Sequence, residues 1–190
     1  MAVELKITLN DMSPKVERWV TVPSDFNFEE LHLVIQGAMG WKNAHLYTFN
    51  EEGREDLIKI GVIIDEDWAE NYRDARHIYL LDELDKIGKK YVYNYDLKDN
   101  WLHKVELLHI NDMEPDYPVC TKGTGSCPPE DCGGPKAYGE LLKRAKKESL
   151  TDEDRSILGL KPEENWSPKP FDIDELNDYI LYFFRNRYEV

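Results

Sequence analysis

Val3, Leu5, Ile7 and Leu9 alternate with Glu4, Lys6, Thr8 and Asn10. After the turn residues Asn10-Asp-Met-Ser-Pro14 the pattern resumes, Val16, Arg18, Val20 and Val22 against Glu17, Trp19 and Thr21. A period of two puts each set of side chains on its own face of a strand. The two runs therefore predict a hairpin with one apolar face, ended by Pro23, and a sheet whose apolar face another layer must cover.

The covering layer is legible next. Asn27 with Glu30 has the spacing of a capping box, and Phe28, Leu31, Ile35, Ala38 and Met39 fall on one helical face before Gly40. Further strands are expected at 46–49 and 57–64, and a hairpin from 90–96 and 101–110. The polar stretch 65–76 reads as loop or irregular helix, and 78–84 as either an edge strand or a helical turn. Helices are expected at 138–147 and 151–158, the latter capped by Thr151. An ordered linker with Pro162, Pro168 and Pro170 follows. In the last helix Asp172 caps, and Leu176, Tyr179, Ile180, Phe183 and Phe184 share a face.

This order predicts an α+β fold, a mainly antiparallel sheet with helices packed on one side and a Cys/Gly/Pro-rich loop after the central hairpin. It reads as a single domain over 1–190, with 136–190 as a C-terminal helical elaboration. No apolar run approaches the length of a membrane span, and the first residues alternate like a strand and lack the apolar stretch of a signal peptide. With three cysteines, an odd number, a reducing cytoplasmic setting is expected. The net charge of −14 is spread along the chain and argues against a general nucleic-acid binder. The basic run Lys143-Arg144-Ala-Lys146-Lys147 reads as a helix C-terminus complementing its dipole.

All cysteines lie in Cys120-Thr-Lys-Gly-Thr-Gly-Ser-Cys127-Pro-Pro-Glu-Asp-Cys132-Gly-Gly134. Three readings stay open. Cys120, Cys127 and Cys132 hold a structural zinc ion, with His103, or else His109 or His45, as fourth ligand. Alternatively the thiols are small buried side chains, or Cys127 and Cys132 form a local disulfide. The spacing C-x6-C-x4-C is wider than a zinc knuckle. Within the loop, Glu130 and Asp131 read as caps for backbone donors or as cation ligands. Gly133-Gly134 is not a phosphate loop, since no Lys-Ser/Thr follows.

The central hairpin is expected to bring Asp96, Asp99 and His103 to one end. An imidazole beside a carboxylate serves as general base or metal ligand, whereas Asp99-Asn100 is also ordinary turn chemistry. The Trp and Tyr residues, mostly core, also suit a partner surface.

Several stretches together resemble one family. They are Leu31-His-Leu-Val-Ile35-Gln-Gly-Ala-Met-Gly-Trp41 with His45-Leu-Tyr-Thr-Phe49, Tyr93-Asn-Tyr-Asp96-Leu-Lys-Asp99-Asn-Trp101-Leu-His103, and Pro118-Val-Cys120 through Gly134 to Tyr138. The chain is similar to the plasmid open-reading-frame-three-like family, first named from an Ri plasmid. Two departures stand out. Lys98 occupies a position where glycine is usual, and Glu17-Arg18-Trp19 replaces the common Trp-Arg order. The resemblance implies no catalytic residues. Resolvase-like labels and fusions to DNA-binding segments among members imply an accessory role in mobile-element or DNA transactions.

The expectation is a non-enzymatic binding or interaction module with a protein partner. The alternative is a metal-dependent hydrolase using Asp96, Asp99 and His103, with Glu130 or Asp131 as further ligand or base.

Overall fold

The computed structural model describes residues 1–112 and 115–187. The last three residues of the expected C-terminal elaboration lie outside them. The opening alternation forms β1 (Ala2–Leu9) and β2 (Val16–Pro23), antiparallel with Leu5 opposite Val20. Val3, Leu5, Ile7, Val20 and Val22 are buried. On the opposite face the Trp19 ring lies between the ammonium groups of Lys6 and Lys122, at 4.9 and 4.7 Å.

Helix α1 (Phe28–Met39) begins with the expected box. Asn27 Oδ1 accepts from the Glu30 N–H at 2.9 Å, and the Glu30 carboxylate accepts from the Asn27 N–H at 3.1 Å. Gly40, at φ 76°, closes it. One side of α1 meets the sheet, where Phe28 packs against Phe49 and Tyr91.

The remaining elements are β3 (Tyr47–Glu51), β4 (Lys59–Gly61), α2 (Glu66–Asn71), β5 (Tyr72–Asp74), α3 (Leu80–Glu83), β6 (Lys90–Tyr95), β7 (Trp101–Asn111), β8 (Val119–Thr124), α4 (Gly134–Lys146), α5 (Asp152–Ile157) and α6 (Ile173–Asn186). The sheet order is β5-β4-β3-β6-β7-β1-β2-β8. The one parallel pair among these neighbours is β4 with β5. The fold is α+β, as the sequence pattern predicts.

The differences have local causes. The expected strand 57–64 shortens to β4, and Leu57 and Ile58 lie exposed outside it. The polar stretch 65–76 is more ordered than expected. Asp65 caps α2 by accepting from the Trp68 N–H, Trp68 stacks on Tyr72, and β5 extends the sheet. The ambiguous 78–84 becomes the turn of α3, with Tyr79 bridged to Asn27.

Helix α6 covers the other side of α1, and the approach is close. A Cβ at Gly37 would lie 2.7 Å from the backbone N and Cα of Ile180. Leu176, Ile180 and Phe183 are buried there, whereas Tyr179, expected on the same face, is 43% exposed.

Candidate functional site

The β6–β7 hairpin pairs Tyr95 with Trp101 and Tyr93 with His103. Tyr91, Tyr93 and Tyr95 point into the core. At Asp96 the chain leaves the strand with φ 53°, and the turn closes through Asn100 at φ 54°. Asp96 Oδ1 accepts from the N–H groups of Lys98 and Asp99 at 3.1 and 3.3 Å. The left-handed positions of this turn are Asp96 and Asn100, so Lys98 carries no strain where the family usually has glycine.

His103 does not join these carboxylates. Its ring is fully buried, edge-on to Trp41 and tilted against Tyr93, and Nδ1–H donates to the Trp101 carbonyl at 2.9 Å. Burial holds its pKa down at about 3, so the ring is neutral. The alternation that puts His103 on the face of Trp101, Val105 and Leu107 also puts it inside the core. Asp99 is engaged elsewhere: its Oδ2 accepts from the Gly133 N–H at 2.9 Å.

That bond is one of several that fasten the cysteine loop, 125–133, to the central hairpin and the end of α1. Tyr95 donates to Glu130 Oε1 at 2.6 Å, and the Lys42 N–H donates to Glu130 Oε2 at 2.8 Å. The Trp41 indole N–H donates to the Pro128 carbonyl at 2.9 Å. Gly134, at φ 81°, packs so closely on Asp99 that a Cβ would lie 2.5 Å from the Asp99 carbonyl oxygen.

The thiols are free, with Cys120 and Cys132 buried and Cys127 partly so. Cys120 Sγ donates to the Lys122 carbonyl. Burial pushes Cys127 and Cys132 up to about 12 and raises Cys120 as well. Among the described residues, no three of Cys120, Cys127, Cys132 and His103 bring their ligand atoms within 4.8 Å of one another. His45, Asp96 and Asp131 do. His45 Nε2 stands 2.9 Å from Asp131 Oδ1 and 3.7 Å from Asp96 Oδ2.

Arg18 closes the back of the loop. It is buried, and its guanidinium donates to the carbonyls of Ala38, Glu17, Thr124 and Gly125 and stacks 4.7 Å over Phe171. Loss of water lowers its pKa from the ordinary arginine value, and the carbonyl fork stands where water would. Its place on the β2 inward face was legible from the alternation, but its partners were not, since they come from three distant segments.

Between this loop, the end of α1 and α6 runs a cleft of about 490 Å³ floored by Trp41, Trp166, Phe171 and Tyr179, with Glu130, Asp131, Asp172 and Glu175 along it together with the cations Arg18, Lys42 and Lys169. A second hollow of about 650 Å³ continues from it past Trp41, Lys42 and Tyr179 to Asp178 and Tyr182. The exposure of Tyr179 and Tyr182 on α6 follows from this cleft and is not visible in the helical periodicity.

A family model described as plasmid pRiA4b ORF-3-like protein matches residues 1–175, which spans all three sequence signatures. The chain belongs to this family. A relative from Sinorhizobium fredii (strain NBRC 101917 / NGR234), named uncharacterized protein y4hQ, is 39% identical over 143 residues, covering 74% of this chain and 71% of that protein. A crystal structure of a protein of unknown function, MM3350 from Methanosarcina mazei Go1, is similar with a TM-score of 0.73 and 29% identity, covering 92% of this chain and 96% of that one. The α+β architecture of the chain is thus shared with this solved structure. Among the described residues no helix is long and apolar enough to cross a membrane.

Proposed function

We propose that the chain is a non-enzymatic binding module whose cleft holds an extended, cationic segment of a partner protein. The observation that carries this reading is the cleft lining, an aromatic floor of Trp41, Trp166, Phe171 and Tyr179 edged by Glu130, Asp131, Asp172 and Glu175. Aromatic surface supplies contact area at low entropic cost, and carboxylates select and steer Lys or Arg. Arg18, Lys42 and Lys169 line the same cleft. The Arg18 donors are engaged by backbone carbonyls and Lys169 pairs with Glu175, which leaves Glu130, Asp131 and Asp172 set against Lys42. The net charge of −14 adds a long-range field of the same sign.

Two observations set the other readings behind this one. For hydrolysis by Asp96, Asp99 and His103, the imidazole would have to leave the core. For a role on DNA, the cleft presents acidic groups where phosphates need cations.

The test is a titration of tryptophan fluorescence with peptides of matched length, one Lys/Arg-rich with aromatic residues and one Glu/Asp-rich. The basic peptide is expected to bind saturably at low salt, to weaken as salt rises, and to lose about tenfold or more with Tyr179→Ala. No saturable binding of the basic peptide, or equal binding of the acidic one, would overturn the proposal.

A further inference from the structure

His45, Asp96 and Asp131 come from three segments: the link between α1 and β3, the end of β6, and the cysteine loop. An imidazole nitrogen and a carboxylate oxygen bound to one ion at roughly 2.0–2.2 Å lie about 3.0–3.6 Å apart. The observed separations of 2.9 Å (His45 Nε2 to Asp131 Oδ1) and 3.7 Å (His45 Nε2 to Asp96 Oδ2) bracket that range, and all three ligand atoms lie within 4.8 Å of one another.

The hydrogen bonds of this cluster leave ligand atoms available to an ion. One Nε2–H serves one carboxylate oxygen, and Asp131 stands at that distance. The Asp96 side chain is only 9% exposed, and its Oδ1 is taken by the turn amides of Lys98 and Asp99. Asp96 Oδ2 accepts no hydrogen bond among the described residues, and the polar group it faces is the His45 nitrogen 3.7 Å away. Asp96 Oδ2 is not sealed from solvent, so an ion can reach it. A cation among the three ligand atoms would take the place of water on both carboxylates and the imidazole.

We infer that His45, Asp96 and Asp131 form a divalent-metal site, one imidazole and two carboxylates suited to a borderline ion such as Zn²⁺ or Mn²⁺. Three protein ligands leave at least one coordination position open. Asp131 is 68% exposed and lies on the cleft wall beside Ala44 and Glu130, so the open side meets the cleft. The site stands on its own geometry, whatever the cleft holds.

The test uses the 190-residue chain purified without affinity nickel and stripped with chelator, then titrated with Mn²⁺ by electron paramagnetic resonance and with Zn²⁺ by calorimetry. One ion per chain is expected, with enhanced water-proton relaxation from bound Mn²⁺ reporting the open position. Asp131→Asn and His45→Ala are each expected to weaken binding by about tenfold or more, whereas Cys127→Ser leaves it unchanged. Asp131 is exposed, and asparagine tolerates its left-handed backbone, φ 58°, so that variant is expected to fold and decides the matter even if His45→Ala does not. The inference is overturned by the absence of saturable binding, by binding that survives Asp131→Asn, or by binding that Cys127→Ser abolishes.

Discussion

The Tyr95 hydroxyl, at the end of β6, donates a 2.6 Å hydrogen bond to Glu130 in the cysteine loop. Through it a strand of the central hairpin holds a segment otherwise built of Gly, Pro and Cys. The carboxylate raises the Tyr95 pKa further after burial has already done so, keeping the phenol protonated and donating. Tyr95→Phe removes this donor, and with it the acceptor of the Ala44 N–H at 3.0 Å, while keeping the ring against Trp41. It is expected to cost about 1 kcal/mol, since the freed carboxylate is only partly buried, as read from urea denaturation. The same variant should expose Cys127 and Cys132 faster to a thiol reagent. Unchanged stability and unchanged thiol kinetics would show the bond to be incidental.

The thiols give a second measurement. With Cys127 and Cys132 pushed up to about 12 and Cys120 raised, little thiolate exists at neutral pH. Titration of the native protein with a disulfide reagent is expected to proceed far more slowly than with free cysteine, and all three cysteines should react after unfolding. Rapid reaction of the native protein would contradict the burial described for the loop.

Stability should fall as pH drops below about 6.5. His32 is buried, stacked 3.7 Å from the Tyr47 ring, with Tyr93 O–H on Nδ1 at 2.8 Å and Asn43 on Nε2 at 2.6 Å. Burial holds both His32 and His103 at about 3, below the ordinary 6.5. Between those two values the unfolded chain binds more protons than the folded one, so acid favours unfolding. Each histidine adds a slope of up to about 1.4 kcal/mol per pH unit. Chemical denaturation at pH 7, 5.5 and 4.5 checks this. A flat or rising profile toward acid would refute neutral burial of the two rings.

Gly37→Ala tests the α1–α6 contact. Alanine is the better helix former, yet its methyl would lie 2.7 Å from the Ile180 backbone. A loss of about 1–3 kcal/mol is expected from forcing the helices apart. A gain in stability would mean that α6 moves without cost.

Disruption of the Arg144–Asp154 pair should loosen the joint between α4 and α5. Arg144 reaches both Asp154 oxygens at 2.7 and 2.6 Å, and this pairing holds the carboxyl down at about 2. Asp154 also accepts from the Thr151 N–H at 2.9 Å, closing the cap of α5. Asp154→Ala is expected to cost about 1–2 kcal/mol, from the lost cap as much as from the partly exposed ion pair. A variant as stable as the parent would show that α5 needs neither.

Some of this was readable in the chain. Asn27 and Glu30 announce the start of α1, and the alternation of Trp101, His103, Val105 and Leu107 assigns them one face, because both rules depend on neighbours a few residues apart. That this face is the core, which leaves His103 without solvent, depends on α1 and Trp41 lying over it. His45 was legible only as one option for a fourth zinc ligand, and Asp96 with Asp131 only as parts of a different metal set centred on His103.

What the sequence by itself determined is the local grammar: strands from a period of two, helices from caps and apolar stripes, and the turn chemistry of the cysteine loop. Only the tertiary structure decided which distant groups meet. It set the strand order that carries β8 beside β2, the crossing that exposes Tyr179 on a cleft, and the convergence of His45, Asp96 and Asp131. The physical reason is range. Propensity and capping act over about one helical turn or one strand pair, whereas a site is assembled by packing among segments whose separation along the chain leaves no trace in local pattern.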